Sequence, residues 1–185
     1  MNGVDDSTEG VTLLSGFLFD VLQEFREIRG VCAPAFKMVE HLDPDDGEAW
    51  VPMQLYNDLC AWLENNIGVA TVRRAGEAIG HRAFAAIVEA GKLENPTPIA
   101  MMESLCWAAS TMIRDPKERG WEVVASEELK ITMRRTQSFN CMLQEGLLLS
   151  LVERCGVVMP SVAYRKCTRR GDDFCEYDLT WLPPK

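Results

Sequence analysis

The sequence predicts an α+β protein in which helices of the N-terminal two thirds pack on a C-terminal antiparallel sheet. Residues 11–113 carry apolar side chains at the three- and four-residue spacing of amphipathic helices. After Gly120, short stretches rich in β-branched and aromatic residues occur in pairs separated by turn residues, as in hairpins. One more helical pattern separates the two pairs, so the predicted order there is strand, strand, helix, strand, strand.

The N-terminal half is predicted to contain two long helices. The segment from Val11 to Arg29 has a wide apolar stripe, and Gly30 suits its end. The Pro-Asp-Asp-Gly turn at residues 44–47 precedes a second amphipathic helix from Trp50 to Asn66. Both stripes need a covering surface, which indicates that these helices pack against each other or against the sheet.

Two further helices are predicted between residues 69 and 113. Residues 69–91 are dominated by Ala and Gly, which favours close packing against neighbouring elements, and Gly91 ends this helix. Thr97 is placed to cap the next helix, which has Pro98 at its first position and runs from Ile99 to about Ile113. Asp115-Pro116 then breaks the helix.

The C-terminal third alternates strands with one helix. Trp121–Ala125 and Leu129–Met133 are predicted to pair as a hairpin. The segment from Phe139 to Cys155 returns to the helical period. A final pair of strands follows at Val158–Cys167 and Phe174–Trp181. This order predicts a four-stranded antiparallel sheet with a helix between its two hairpins.

Composition and charge narrow the class of protein. The 185 residues include 19 Lys and Arg against 28 Asp and Glu, a formal net charge of −9. An acidic chain without a large basic cluster is repelled by phosphate, so nucleic acid is not an expected partner. No apolar run approaches the roughly 20 residues of a membrane span, and the start lacks an export signal. We therefore expect a cytoplasmic protein with one domain, residues 11–182, after a disordered start at residues 1–10.

The seven cysteines and two histidines are the chemically informative residues. An odd cysteine count without an export signal argues against a full disulfide framework. Cys141 lies in the first turn of a predicted helix, whereas Cys167 and Cys175 lie on paired strands with seven residues between them. A hairpin with a docked helix N-terminus brings three such sulfurs together. Three states stay open on this basis: a metal site, reduced buried thiols, or a disulfide between Cys167 and Cys175.

The end of the chain resembles that of the V4R (4-vinyl reductase) domain. The similarity lies in residues 141–151, Cys-Met-Leu-Gln-Glu-Gly-Leu-Leu-Leu-Ser-Leu, and in residues 162–177, where two cysteines flank a Gly-Asp turn. The helix-rich first two thirds match only in layout. This domain belongs to a superfamily with the haem nitric oxide/oxygen binding (H-NOX) domains and the Bet3-like trafficking subunits, so the resemblance implies the fold of that superfamily.

The resemblance also implies a zinc site. In the phenol-sensing relatives, zinc is held by a cysteine at the helix start, an acidic residue and the two hairpin cysteines. The matching zinc ligands here are Cys141, Cys167 and Cys175. The acidic residue, three positions before the first hairpin cysteine, is replaced by Tyr164, an uncommon zinc ligand. Water, Glu176 or another residue is then left for the fourth position, or the metal has been lost.

Haem is not expected in this chain. The haem-binding relatives supply an axial histidine and a Tyr-x-Ser-x-Arg clamp for the propionates. Neither His41 nor His81 lies where the axial ligand is expected. The clamp positions align with Met133, Arg135 and Gln137, so the motif is missing.

V4R-like domains are thought to hold a small apolar molecule between the helices and the sheet, and the resemblance implies a similar pocket here. Trp121 is the strongest candidate for its wall, because it opens a strand just after the Arg119-Gly120 turn. The same residues suit an ordinary core, and composition does not separate the two. The residues predicted to bind the ligand are Met102, Leu105, Trp107, Trp121 and Tyr164.

The predicted function is that of a non-enzymatic sensor or adaptor of bacterial type. The sequence has no Ser-His-Asp or Cys-His arrangement, no phosphate-binding glycine loop, and no nicotinamide or flavin fingerprint. We expect a small hydrophobic ligand, a homodimer formed through the helix from Val11 to Arg29, and a separate signalling protein that carries the output. The alternatives are a tetrapyrrole-related enzyme or chaperone, and a Bet3-like structural assembly subunit.

Overall fold

A computed structural model describes residues 7–90, 93 and 96–183. It confirms the α+β class, with six α-helices and two antiparallel sheets in the described part of the chain. Two short 3-10 turns lie at Arg26–Ile28 and Thr168–Arg170. The elements are β1 (Thr12–Leu14), α1 (Gly16–Gln23), α2 (Ala33–Met38), β2 (Trp50–Pro52), α3 (Met53–Asn66), α4 (Val69–Glu89), α5 (Pro98–Met112), β3 (Ile113–Arg114), β4 (Trp121–Glu127), β5 (Lys130–Arg135), α6 (Cys141–Glu153), β6 (Val158–Lys166) and β7 (Cys175–Leu182).

The larger sheet contains the four C-terminal strands in the order β4-β5-β7-β6, all antiparallel. This arrangement confirms the predicted order of strand, strand, helix, strand, strand. Met133 of β5 pairs with Tyr177 of β7, and both side chains are fully buried. The central strands β5 and β7 therefore carry the apolar face on which the helices pack.

The N-terminal segment differs from the single helix predicted between Val11 and Arg29. Residues 12–14 form β1, which pairs with β2 and β3 in a small three-stranded sheet, and α1 spans only residues 16–23. Val11 and Leu13 are both buried, which is the two-residue period of a strand, whereas Leu13 and Phe17 also have the four-residue spacing of a helix. Trp50 likewise begins β2 rather than the predicted helix, which starts after Pro52.

Helices α4 and α6 cross at very short range, as the small residues of α4 predict. A Cβ atom added at Gly76 would lie 2.0 Å from the backbone oxygen of Leu143. A Cβ atom added at Gly146 would lie 2.0 Å from the backbone oxygen of Arg73. Only glycine permits this approach, which holds α6 firmly between α4 and the sheet.

The connections around α5 agree with the predicted cap. Thr97 accepts a hydrogen bond from the backbone N–H of Ala100 at 3.3 Å, as an N-cap residue does. Gly91, which was expected to end α4, lies outside the described residues, and so does the start of the chain at residues 1–6. Residues 7–10 are described: the Ser7 carbonyl accepts a hydrogen bond from Arg119.

None of the helices in the described ranges combines the length and the apolar content that a bilayer-crossing segment requires.

Candidate metal centre and ligand cavity

Three buried cysteines meet where the N-terminus of α6 docks on the hairpin of β6 and β7. Cys141 is the first residue of α6, Cys167 follows β6, and Cys175 begins β7. Their Sγ atoms all lie within 4.8 Å of one another, and those of Cys141 and Cys175 are 3.6 Å apart. The structure thus brings together the three residues that the spacing singled out.

Local hydrogen bonds explain why these sulfurs converge. Asn140 caps α6 by accepting a hydrogen bond from the Leu143 N–H at 3.0 Å, which places Cys141 at the helix start. The Cys167 N–H donates to the Asp172 carboxylate at 2.7 Å. The turn then closes through Gly171, whose φ of +89° favours glycine.

The sulfur positions fit a tetrahedral zinc ion. Two sulfurs bound to one such ion lie about 3.8 Å apart, given Zn–S bonds of about 2.3 Å. The Cys141 and Cys175 sulfurs, 3.6 Å apart, are close to this value, and the other pairs lie within 4.8 Å. Thiolates are among the ligands of structural zinc sites. Within the described residues, these three cysteines form the group of His, Cys, Asp or Glu side chains whose ligand atoms lie close enough together to hold one metal ion.

Neither residue considered for the fourth ligand position joins the sulfurs. The Glu176 carboxylate pairs with Arg134 at 3.1 Å and with Arg165 at 3.5 Å, away from the cluster. The Tyr164 hydroxyl donates a hydrogen bond to the backbone oxygen of Cys141 at 2.9 Å. Among the His, Cys, Asp and Glu side chains of the described residues, three therefore offer a ligand atom at this point.

Arg135 is the residue at the cysteine cluster that the sequence analysis did not place there. It is 1% exposed, and it extends the buried face of β5 that Ile131 and Met133 begin, which is the one sequence signal that marks its position. Its guanidinium is hydrogen-bonded to sulfur, to backbone and to a phenol. The acceptors are Cys175 Sγ (3.1 Å), Cys141 Sγ (3.4 Å), the backbone oxygens of Gln137 (2.7 Å) and Phe139 (2.8 Å), and the Tyr177 hydroxyl (3.3 Å).

The pKa values of the Cys141 and Cys175 thiols are shifted in opposite directions. The hydrogen bond from Cys141, together with the Arg135 guanidinium and bonds from Thr168, lowers the pKa of the Cys175 thiol to about 4. The same bond to Cys175, together with burial, raises the pKa of the Cys141 thiol well above its ordinary value. The Arg135 guanidinium and the hydrogen bonds at Cys175 thus favour its thiolate form, although burial opposes it.

An apolar cavity of about 380 Å³ lies between α4, α5 and α6, beside the sheet. The partly exposed side chains of Asp20 and Arg82 mark its solvent edge. Helix α5 contributes one face, because residues three and four positions apart point the same way. The residues that define the apolar wall include Ala83, Leu105, Ala109, Met112, Trp121 and Leu147.

Two of the five predicted ligand-binding residues, Leu105 and Trp121, line this cavity. Met102 is fully buried in the core outside the wall. Trp107 is 54% exposed, because it is about 200° around the helix from Leu105. Tyr164 packs its ring 5.0 Å from that of Tyr177, at the cysteine cluster rather than at the cavity. The predicted set therefore divides between the cavity, the core and the surface.

The cavity has a polar inner wall that was not predicted. Gln144 is 6% exposed and Tyr56 is 1% exposed, and both line the cavity. The two side chains are neighbours, but a glutamine amide has two N–H donors and an acceptor oxygen, so one neighbour does not exhaust its capacity. The sequence signal that could have identified Gln144 is its amide in an otherwise apolar helix face.

The histidines and the residues aligned with the haem clamp do not come together at the cavity. His41 and His81 are exposed, and neither lines the cavity. Arg135 lies at the cysteine cluster instead. Of the side chains that ligate haem iron in proteins, the cavity wall supplies Met112 and Tyr56. Burial raises the pKa of Tyr56 well above its ordinary value, which disfavours the tyrosinate form that binds iron.

Comparison with known proteins identifies the fold. No family model and no curated protein matches the sequence. An H-NOX protein from Shewanella oneidensis, solved in the Fe(II)NO ligation state, superposes with a TM-score of 0.67 at 12% identity, covering 92% of this chain and 100% of that chain. The Fe(II)CO form of the H-NOX domain from that organism gives 0.62 at 12% identity, covering 92% and 100%.

A further structure, solved in a study of haem distortion in the H-NOX family, gives a TM-score of 0.63 at 12% identity and covers 94% of this chain and 97% of that chain. Identities this low establish the fold and leave the chemistry of the site to be argued from the residues. The chain has the H-NOX-like fold.

Proposed function

We propose that this protein is a non-enzymatic sensor or adaptor that binds a small, mainly apolar molecule in the cavity between α4, α5 and α6. The observation that carries the proposal is the cavity itself: about 380 Å³, with a wall that is largely apolar. Ligand pockets in proteins have this size and this composition, with a few polar groups that orient the ligand. The H-NOX-like fold, shared with ligand-binding sensor domains, supports the same role.

The polar groups indicate an uncharged ligand with one hydrogen-bonding group. Gln144 and Tyr56 at the inner wall offer donors and acceptors without a formal charge. Arg82 at the solvent edge already donates to Glu24 at 2.5 Å and lies 3.5 Å from Asp20. An ionised ligand would therefore lose its hydration without gaining a free counter-charge, which favours a neutral one.

We propose further that this ligand is not haem. Both histidines are exposed and neither lines the cavity, and the aligned clamp positions carry Met133, Arg135 and Gln137. These residues do not supply the iron ligand and propionate contacts that the haem-binding relatives use. The V4R resemblance, which implies a small apolar ligand instead, is consistent with this part of the proposal.

The three-cysteine cluster supports a second part of the proposal, a structural zinc ion held by Cys141, Cys167 and Cys175. Zinc bound there would link the start of α6 to the hairpin of β6 and β7, and structural zinc contributes to folding free energy. The sulfur separations carry this part, and the V4R resemblance supports it.

The remaining parts of the proposal are a single domain over residues 11–182, a homodimer and a separate output protein. The apolar stripe that led us to expect pairing through the N-terminal helix is buried inside the protomer, including Leu18, Val21 and Phe25. A homodimer would therefore use another surface. Light scattering on the purified protein measures its mass directly.

Equilibrium titration with the neutral fluorescent probe phenylnaphthylamine tests the ligand-binding proposal. We expect saturable binding of one probe per chain. Ala109→Phe fills the cavity from α5 and should abolish this binding, whereas Ala61→Phe, on an exposed face of α3, should leave it unchanged. Equal binding by both variants, or no saturable binding by the wild type, would contradict the proposal and favour a structural assembly role.

A further inference from the structure

A fully buried arginine lies against the sulfur cluster without a carboxylate partner. Within the described residues, every hydrogen bond of the Arg135 guanidinium goes to a sulfur, a backbone oxygen or a phenol. A buried charge is costly unless it is paired. The acidic groups within hydrogen-bond distance are the Cys141 and Cys175 thiols and the Tyr177 phenol, and the sulfurs become anionic when they bind a metal ion.

We propose that Arg135 is a positioning residue that makes the three-cysteine site electrically neutral around a divalent metal ion and orients two of its sulfurs. This inference rests on the zinc site proposed above. Three thiolates and one divalent cation have a net charge of −1, and the guanidinium brings the sum to zero. With a monovalent ion such as copper(I), neutrality would require one of the three thiols to stay protonated, whereas a divalent ion is balanced with all three deprotonated.

The geometry of Arg135 supports an orienting role. One nitrogen, Nη2, donates to both Cys175 Sγ at 3.1 Å and Cys141 Sγ at 3.4 Å. The other nitrogens are held by the protein itself: Nη1 by two backbone oxygens after β5, and Nε by the Tyr177 hydroxyl. The guanidinium is thus fixed from three sides and presents one nitrogen to the sulfurs before any metal binds.

The neighbouring residue Arg134 provides a matched control. It lies next to Arg135 on β5 but points to the opposite face of the sheet, because successive side chains alternate along a strand. Its guanidinium pairs with Glu122 at 2.7 Å and with Glu176 at 3.1 Å, and it is partly exposed. Removing it changes the net charge of the protein equally without touching the sulfurs.

Zinc affinity measured by competition with a chromophoric chelator tests the inference. Loss of a group that supports metal ligands lowers metal affinity by about 10- to 100-fold, and we expect this loss for Arg135→Met. Arg134→Met should bind zinc as tightly as the wild type. Arg135→Lys, which keeps the charge but not the fixed fork of donors, should fall between them.

A cobalt(II) spectrum keeps the test decisive if Arg135→Met does not fold. Tyr177→Phe removes the acceptor of Nε and leaves the charge in place. The sulfur-to-cobalt charge-transfer band should shift in this variant and in Arg135→Lys, because hydrogen bonds to sulfur change the energy of that band. Unchanged bands in both variants would overturn the orienting role.

The outcomes separate this inference from the zinc proposal. If the wild type takes up no zinc and behaves like Cys141→Ser, the zinc site fails. If the wild type binds zinc and Arg135→Met binds it equally well, the site stands and the role of Arg135 is wrong. If the wild type takes up no zinc yet Arg135→Met is strongly destabilised, the guanidinium serves in place of a metal, which also overturns the inference.

Discussion

Tyr164 and Arg135 show how single residues define the chemistry of the cysteine cluster. Tyr164 stands where the V4R resemblance implies an acidic zinc ligand, but its hydroxyl is bonded to the Cys141 backbone oxygen. This bond anchors the start of α6 to β6. Arg135 brings a positive charge within 3.1–3.4 Å of the Cys175 and Cys141 sulfurs, from a strand position that faces the core.

Replacing Tyr164 with Phe separates these two roles. The variant keeps the ring and loses one hydrogen bond, so the free energy of unfolding should fall by about 0.5–1.5 kcal/mol. Its zinc content, measured by elemental analysis, should equal that of the wild type because the hydroxyl is not needed as a ligand. Loss of zinc in Tyr164→Phe, with Tyr177→Phe retaining it, would instead make Tyr164 the fourth ligand.

The site residues were only partly predictable for a physical reason. Spacing along a hairpin fixes which side chains oppose each other, so Cys167 and Cys175 could be paired from sequence. The roles of Arg135 and Gln144 depend on which face of an element meets the core, and their polarity argued against burial. Trp107 is the opposite case: its apolar side chain suggested burial, but it faces solvent on α5.

At the scale of elements, the crossing of α4 and α6 depends on glycine. Gly76→Ala would place a Cβ atom against the rigid backbone of Leu143. Overpacking of this kind typically costs about 1–3 kcal/mol, and we expect a loss at or above that range in urea unfolding. Gly30→Ala is the control, because nothing lies within 4 Å of its added Cβ. A fully stable Gly76→Ala variant would show that the helices are not in such close contact.

A cross-strand pair between β5 and β7 gives the sheet a pH dependence. Asp178 accepts a hydrogen bond from Thr132 at 2.8 Å and pairs with Lys130 at 3.1 Å. Burial opposes ionisation, but these contacts outweigh it and lower the pKa of Asp178 below its ordinary 3.8. A lowered carboxyl pKa contributes stability above the ordinary value, and this contribution is lost as the pH falls through the folded-state pKa.

Thermal unfolding of Asp178→Asn tests the direction of this pH dependence. The variant should melt below the wild type at neutral pH, and the difference should shrink as the pH falls below the ordinary pKa of 3.8. Asp173→Asn, in an exposed turn, should show no such trend. A difference that grows on acidification would mean that the carboxylate destabilises the sheet.

The elements themselves were predictable where one period dominated. Helices α3 to α6 and the four C-terminal strands follow long, clean patterns. The start of the chain was not predicted, because Leu13 and Leu14 continue the helical spacing of Phe17 and Leu18, whereas Val11 and Leu13 follow the two-residue period of a strand. Pairing with β2, which is distant in sequence, decided the outcome.

Across the whole molecule, the cavity and the cysteine cluster are neighbours. Trp121 lines the cavity and stacks on Tyr177, with ring centroids 5.8 Å apart. The Tyr177 hydroxyl accepts a hydrogen bond from Arg135, which in turn donates to Cys175. One continuous set of contacts therefore joins the ligand wall to the sulfurs, on a fold shared with H-NOX structures.

The central claim is that the cavity takes a small, uncharged and mainly apolar molecule. A crystal structure of the protein soaked with phenylnaphthylamine tests it most directly. We predict electron density for one probe per chain between α4, α5 and α6, in contact with Trp121 and with its N–H directed towards Gln144 or Tyr56. A cavity closed by its own side chains, with the probe absent or bound only at the surface, would contradict the account.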